Sequence, residues 1–354
     1  MKNHKIVSSI LAVATVLLPM TGCQKENISR GKAVSFHVTS GNHDTKAAYS
    51  GTVVDGYERI DWAVGDLIRI WCDQASYGKP GNPAVIANGN KFADYKVVEG
   101  ITAKQKISEA TIKKNDANNE LLWGNENTDH YFYAVYPSPA TSSPWVSAMN
   151  KNTITGTVKA TQTGDGRFSD GMVMVAKTGP LRPGTFDKDA VFLEFSPITT
   201  AIKFSIKNGL SSAITLNRIE LVSENYNICG TFDYDISNGS VSDNSLDDEG
   251  KKVGINTSKV LSAYQAGDPY EFTFFLRPDD NLDDLSIVIT DSNGVIYTSE
   301  FKDAGGSAFH TFESGTKTVI NGVVLDKCLT LQSIASLLGD AMRGNGEVNE
   351  EILF

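Results

Sequence analysis

The sequence VFLEFSPITTAIKFSI at residues 191–206 decides the fold class of this chain. Apolar side chains occupy every second position on both sides of the Ser196-Pro197 break, which is the period of a β-strand with one buried face. Similar runs rich in Val, Ile, Thr, Phe and Tyr recur along the chain, at residues 33–39, 67–72, 131–136, 172–176, 214–222, 271–276, 285–290, 295–297 and 317–325. Turn residues separate them, and no sustained helical period occurs before the tail. The pattern predicts an all-β protein of antiparallel sheets packed face to face as β-sandwiches.

The composition excludes several classes of protein. The chain has 354 residues and a formal net charge of −10, without a basic tail. Nucleic-acid binding and peripheral binding to anionic lipid both need clustered Lys and Arg, so neither is expected. Four cysteines are too few for a disulfide framework.

The N-terminus carries an export signal. Lys2 and Lys5 precede an apolar run at residues 6–18, which is too short to cross a bilayer. The Met20-Thr21-Gly22-Cys23 sequence that follows resembles the lipobox of bacterial lipoproteins, in which the cysteine is acylated and becomes the mature N-terminus. We therefore predict a signal peptide at 1–22, lipid on Cys23 and a polar tether at 23–30. An ordinary secretory signal is the alternative.

Two domains and a tail are expected. Pro180, Pro183 and two glycines in KTGPLRPGTFDK (177–188) interrupt the strand pattern, which predicts domains at 31–178 and 186–327. Apolar residues then fall at helical spacing from Leu331 to Met342, and the Gly-Asn-Gly sequence at 344–346 ends that pattern. The segment 328–354 is therefore predicted to be a short helical tail.

Several landmarks occur in a familiar order along the chain. They are AVSFHVT (33–39), IDWAVGDLIRI (60–70), YFYAVYPS (131–138), SDGMVMVA (169–176), residues 191–206 and FFLRP (274–278). Together with the lipobox they resemble the fimbrillin family of Bacteroidales lipoproteins, the major and accessory subunits of type V pili. The resemblance implies two tandem transthyretin-like β-sandwiches, location at the cell outer membrane and assembly with other fimbrillin subunits.

The resemblance also implies assembly by donor-strand complementation. A trypsin-like protease removes the first strand of the family's subunits, and a C-terminal strand of the next subunit fills the groove. The strand removed here would be 33–39, with Val34, Phe36 and Val38 facing inward. Lys46 is the candidate cleavage residue, where the family usually has arginine, whereas cutting at Arg30 would release the lipid without opening a groove.

The candidate donor is the end of the tail. Its inward-facing residues would be Val348, Ile352 and Phe354, with Glu350 between them. A terminal amphipathic helix packed on the second domain is the alternative for the same segment.

No catalytic, cofactor or metal site is predicted. The chain lacks the G-x-S-x-G, H-E-x-x-H and Walker-type motifs, and its histidines are scattered. Acidic pairs such as Asp279-Asp280 and Asp283-Asp284 lie in hydrophilic turns and are expected to be solvated. We therefore expect a structural or adhesive subunit rather than an enzyme. The second hypothesis is a monomeric, lipid-anchored module that binds a glycan or a host protein, and a host or bacterial surface ligand is a partner under either.

Overall fold

The structure, a computed structural model, describes residues 31–40, 53–54, 57–58, 60–78, 91–104, 107–116, 120–141, 145–165, 171–243, 248–279, 282–302, 308, 311–325 and 328–329. These residues form 25 strands and no α-helix. Two 3₁₀ turns, Asp248–Lys251 and Ala263–Gln265, are the helical segments among them. The predicted all-β class is confirmed.

The strands are numbered in chain order. They are β1 (Phe36–Ser40), β2 (Val53–Val54), β3 (Tyr57–Glu58), β4 (Leu67–Trp71), β5 (Ser76–Gly78), β6 (Phe92–Lys104), β7 (Ile107–Lys114), β8 (Glu120–Leu122), β9 (His130–Tyr136), β10 (Val146–Asn150), β11 (Thr153–Val158), β12 (Thr161–Gln162), β13 (Met174–Leu181), β14 (Val191–Pro197), β15 (Thr200–Asn208), β16 (Ile214–Val222), β17 (Gly230–Asp235), β18 (Val241–Asp243), β19 (Lys252–Asn256), β20 (Val260–Leu261), β21 (Tyr270–Leu276), β22 (Ser286–Asp291), β23 (Ile296–Glu300), β24 (Lys317–Leu325) and β25 (Cys328–Leu329).

Seven strands close into one sheet in the order β1-β14-β13-β9-β4-β6-β7, and β7 returns to β1. Every second side chain along these strands points into the interior, as the period of two predicts. The interior contains Phe36, Ile68, Phe132 and Phe195, each at most 4% exposed. Because a closed sheet surrounds the core with its inner face, it buries apolar side chains as the two facing sheets of a sandwich do.

The second core lies between a ten-stranded and a four-stranded sheet. The larger sheet has the order β12-β19-β16-β22-β23-β25-β24-β15-β21 with β20 beside β16, and the smaller has the order β10-β11-β17-β18. Phe204, Phe232, Phe274 and Ile289 are fully or almost fully buried in this core. The two cores meet at β15 and β21, because Phe275 packs with the closed sheet while Phe274 packs on the other side.

Hydrogen-bonded strand pairing continues across the domain boundary that the sequence pattern predicts. The strand β14 (Val191–Pro197), which the sequence analysis assigned to the second domain, pairs with β1 and β13 in the closed sheet. In the other direction β10, β11 and β12 pair with strands of the second part. The segment 177–188 is also not a free linker, because β13 continues to Leu181 and Arg182 pairs with Asp129. Strand patterns locate strands, but only packing decides which sheet each strand joins.

The tail lies outside the described residues except for Cys328 and Leu329. These two residues form β25, which pairs antiparallel with β24 and parallel with β23. The helical tail and the donor segment therefore stay predictions.

Candidate functional site

The first strand occupies an internal position in the closed sheet. All five residues of β1 pair parallel with β14, from Phe36 opposite Val191 to Ser40 opposite Phe195. On its other side β1 pairs antiparallel with β7, with Val38 opposite Ala110. Removing β1 would therefore expose the hydrogen-bonding edges of two neighbouring strands.

Three side chains anchor this segment in the core. Val34, Phe36 and Val38 are at most 4% exposed, in agreement with the inward orientation that alternation predicts. The ring of Phe36 meets the ring of Tyr95 edge-on at 5.0 Å and that of Phe132 at 5.4 Å, between ring centroids. All three side chains thus belong to the core of the closed sheet.

A buried serine holds the C-terminal end of β1. The Ser40 hydroxyl donates to the carbonyl oxygen of Ile60 at 2.8 Å and accepts from the Ser108 backbone N–H at 2.9 Å. The Ser108 hydroxyl in turn accepts from the Trp62 backbone N–H at 3.3 Å. Sequence reasoning missed Ser40, although it occupies the next inward position after Val38 and alternation could have found it.

The residues before β1 are bound by a second segment. Gly31 and Val34 donate backbone hydrogen bonds to the carbonyl oxygens of Trp123 and Leu121, at 2.9 and 3.0 Å, and Trp123 donates to Lys32 at 2.9 Å. We call residues 121–124 the clasp segment. No sequence signal marks it, because the contact joins residues about ninety positions apart.

The side chain of His130 hydrogen-bonds to the clasp segment. The backbone N–H of Gly124 donates to Nε2 of His130 at 3.1 Å, and Nδ1 of His130 lies 2.8 Å from the carbonyl oxygen of Thr128. Because Nε2 accepts a hydrogen bond, this arrangement requires a neutral ring with its proton on Nδ1. Burial lowers the pKa of His130, and the negative charge of Asp129, which pairs with Arg182, opposes part of this shift.

An open groove runs beside the N-terminal half of the first strand. Its volume is about 810 Å³, and its lining includes Val34, Phe36, Lys113 and Glu120. It exists because β7 pairs with β1 only opposite residues 37–39 and then continues along β6 alone. The groove therefore lies against residues 34–37 while the first strand is in place.

The other sequence-predicted residues cannot be placed. Cys23, Arg30 and Lys46 lie outside the described residues, as do the donor residues Val348, Ile352 and Phe354. The structure thus brings together Val34, Phe36 and Val38 and leaves the lipidation, cleavage and donor positions as predictions.

The described residues were compared with the needs of metal binding and thiol chemistry. Among the residues described, no three His, Cys, Asp or Glu side chains form a group that could hold a metal ion. Burial raises the pKa of the Cys72 thiol to about 12 and that of Cys229 to about 11, so both thiols are protonated at neutral pH. Among the residues that the structure describes, no helix has both the length and the apolar character needed to cross a membrane.

The comparison with known families agrees with this architecture. The family model described as fimbrillin-like matches residues 52–335, which is most of the chain. The chain belongs to the fimbrillin-like family. The resemblance given by the sequence landmarks is thereby confirmed. The matched range contributes residues to both cores of this fimbrillin-like chain, and it does not include the first strand.

Several solved structures are similar to this fimbrillin-like chain. A candidate cell adhesion protein from Bacteroides ovatus ATCC 8483 matches with a TM-score of 0.51 and 13% identity, over 85% of this chain and 95% of that one. One from Bacteroides uniformis ATCC 8492 has a TM-score of 0.49 and 15% identity, over 84% and 94%. A fimbrial protein from Bacteroides vulgatus ATCC 8482 has a TM-score of 0.42 and 13% identity, over 72% and 88%. At sequence identities this low, the similarity concerns the fold and not the function. No match is found among the curated proteins.

Proposed function

We propose that this chain is a fimbrial subunit of the cell surface, acting as a structural or accessory part of a pilus and supporting adhesion. Membership of the fimbrillin-like family supports the role. The observation that carries it is the position of β1, which lies between β14 and β7 and fills the core with alternate side chains. A strand in this position can be exchanged for a strand of another subunit, because backbone bonds and side-chain pockets are both ready to receive it.

Export as a lipoprotein is part of the proposal. The signal peptide (1–22) would be removed and Cys23 acylated, and the polar tether 23–30 would connect the lipid to the body of the protein. Two acyl chains give the stable anchoring that one chain does not. The precursor is thus expected at the outer membrane.

The energetics favour replacement of the first strand over its simple loss. Burying Val34, Phe36 and Val38 contributes about 1.5–3 kcal/mol per side chain, or roughly 5–9 kcal/mol together. That is comparable with the net stability of about 5–15 kcal/mol of a typical protein. A subunit that loses β1 would therefore be marginally stable until a donor strand restores the core.

The proposed donor is the C-terminal segment of the next subunit. Ile352 and Phe354 have the spacing of Phe36 and Val38 and could fill the same two pockets. In the same alignment Glu350 would take the position of Val34, beside the groove that Lys113 and Lys114 line, and Val348 would lie two residues before it.

The test uses surface-extracted protein from cells that express a trypsin-like protease. Polymers are detected as a ladder resistant to denaturant, and the new N-terminus is sequenced. We expect a cut after Lys46 and a ladder, both lost in Lys46→Ala. The matched control Arg30→Ala should keep the ladder, because a cut at Arg30 leaves β1 in place. Deleting residues 328–354 should abolish the ladder.

Two results would contradict the proposal, one its assembly by strand exchange and the other its donor segment. A wild-type monomer that retains acylated Cys23 would exclude assembly by strand exchange and favour the monomeric, lipid-anchored binding module. A ladder that persists after deletion of 328–354 would exclude the tail as donor.

A further inference from the structure

A polar pocket of about 480 Å³ lies in the second part of the chain, away from the first strand. Its volume is within the range of about 300–1,000 Å³ typical of small-molecule sites. Three segments form most of it: the connection from β16 to β17 with Asn225, Tyr226 and Asn227, the turn at Ser240, and the residues that follow β21. The described residues that line it all lie outside the closed sheet.

Hydrogen bonds fix the first wall of the pocket. The buried carboxylate of Asp284 accepts from the Ser223 hydroxyl at 2.6 Å and from the backbone N–H groups of Glu224 and Asn225 at 2.9 and 2.7 Å. The Ser223 hydroxyl accepts from the backbone N–H of Tyr226 at 2.8 Å. A loop held in this way loses little conformational freedom when a ligand binds.

The opposite wall is fixed as well. The Asp235 backbone N–H donates to the carbonyl oxygen of Ser240 at 2.9 Å, and that of Gly239 donates to Asp235 at 2.8 Å. Gly239 has φ +79°, a conformation that favours glycine. The side chain of Asn238 accepts from the Ser240 N–H at 2.8 Å. The pocket is therefore pre-formed on both sides.

The lining combines donors and acceptors. Arg277 is 4% exposed, and its guanidinium carbon lies 5.8 Å from the ring centroid of Phe232, which supports it from the core side. The guanidinium of Arg277 donates hydrogen bonds and the carboxyl oxygens of Asp279 accept them, while the amides of Asn225 and Asn227 do both. Sugar hydroxyl groups donate and accept at once, so they match this mixture.

The lining carries one basic and one acidic side chain, Arg277 and Asp279, so its formal charge is balanced. Burial, followed by the side-chain hydrogen bond to Asp283 and the negative charges of Asp283, Asp284 and Asp279, raises the pKa of Tyr226. An uncharged hydroxyl group fits this balanced lining, whereas a carboxylate would add a second negative charge beside Asp279.

We propose that this pocket binds a neutral sugar residue of a surface glycan. The proposal supplies a ligand class for the adhesive role that the proposed function includes. It stands on residues separate from the first strand, so the two can fail independently.

The experiment measures sugar binding by the purified protein with saturation-transfer NMR. The neutral probes are galactose, mannose, fucose and N-acetylglucosamine, and N-acetylneuraminic acid is the acidic probe. We expect saturable binding of at least one neutral sugar. The variants Asn225→Ala and Ser240→Ala should each raise Kd by about fivefold, the loss of one hydrogen bond. The control Tyr264→Ala, at a 73% exposed tyrosine that does not line the pocket, should keep the wild-type affinity.

Urea midpoints equal to that of the wild type would show that the pocket variants fold. Absence of neutral-sugar binding up to about 10 mM would overturn the proposal, as would unchanged affinity in both folded pocket variants. Binding of the acidic probe alone would overturn it too. The pocket variants should still form polymers, so a lost ladder would concern assembly and not the sugar site.

Discussion

The substitution Phe36→Ala tests how strongly the first strand is held in the uncleaved protein. Phe36 is 4% exposed and makes edge-on ring contacts with Tyr95 and Phe132. Truncating such a buried phenylalanine to alanine costs about 3–5 kcal/mol, because transfer energy is lost and a cavity remains. With a urea m-value of about 3 kcal/mol/M, the unfolding midpoint should fall by about 1–1.7 M.

The assay is urea unfolding followed by tryptophan fluorescence, since Trp62 and Trp123 lie in the same core as Phe36. The matched control is Phe192→Ala. Phe192 stands opposite His37 in the same pairing but is 54% exposed on the outer surface. Its substitution should change the free energy of unfolding by no more than about 1 kcal/mol.

One result would refute the reasoning. If Phe36→Ala shifts the midpoint no further than Phe192→Ala does, with m unchanged, the first strand does not contribute to the stability of the closed sheet. The argument that its loss requires a donor strand would then fail. If the expected shift is found, the variant should also exchange its first strand faster, because fewer contacts have to break.

Three further predictions concern other parts of the fold. Burial lowers the pKa of His130 in the folded state, so at pH values between that pKa and about 6.5 the unfolded state binds more protons than the folded state. The urea midpoint should therefore fall as the pH drops from about 7 to 5. A His130→Gln variant with the same pH dependence as the wild type would contradict this. Gly124→Ala should destabilise the protein by about 3 kcal/mol, because its Cβ would lie 2.0 Å from the backbone oxygen of Gln74. Gly294→Ala has open space around the added atom and should cost only about 1–2 kcal/mol for its positive φ, and equal calorimetric losses for the two would exclude the clash. Asp284→Ala should lower the free energy of unfolding by about 3 kcal/mol, since it leaves buried donors unpaired, and an unchanged urea midpoint would rule out that role.

Local patterns in the sequence predicted the elements well, for a physical reason. Strand side chains alternate between two faces, so the buried half of each strand is visible in the sequence. The predicted runs at residues 214–222 and 317–325 coincide with β16 and β24. The strands β6 and β10 were not predicted, although Ala93, Tyr95 and Val97 of β6 alternate inward.

The polar residues were harder to interpret than the apolar ones. Asp284 looked like a solvated turn charge, but it is 7% exposed and holds the loop beside the pocket. Its partners lie about sixty positions earlier, and no local pattern reports a contact of that range. The same holds for the clasp segment and for the Ser40–Ser108 contact.

The sequence by itself determined the all-β class, the inward residues of the first strand and the resemblance to fimbrillins, because each depends on local periodicity or on motifs in order. Only the tertiary structure decided that β14 joins the closed sheet and that β10–β12 join the second part. It also decided that β1 lies between two strands rather than at an edge. Strand pairing is non-local: the backbone groups of any strand can bond to any other, so the choice of partner depends on which faces pack together in the folded chain.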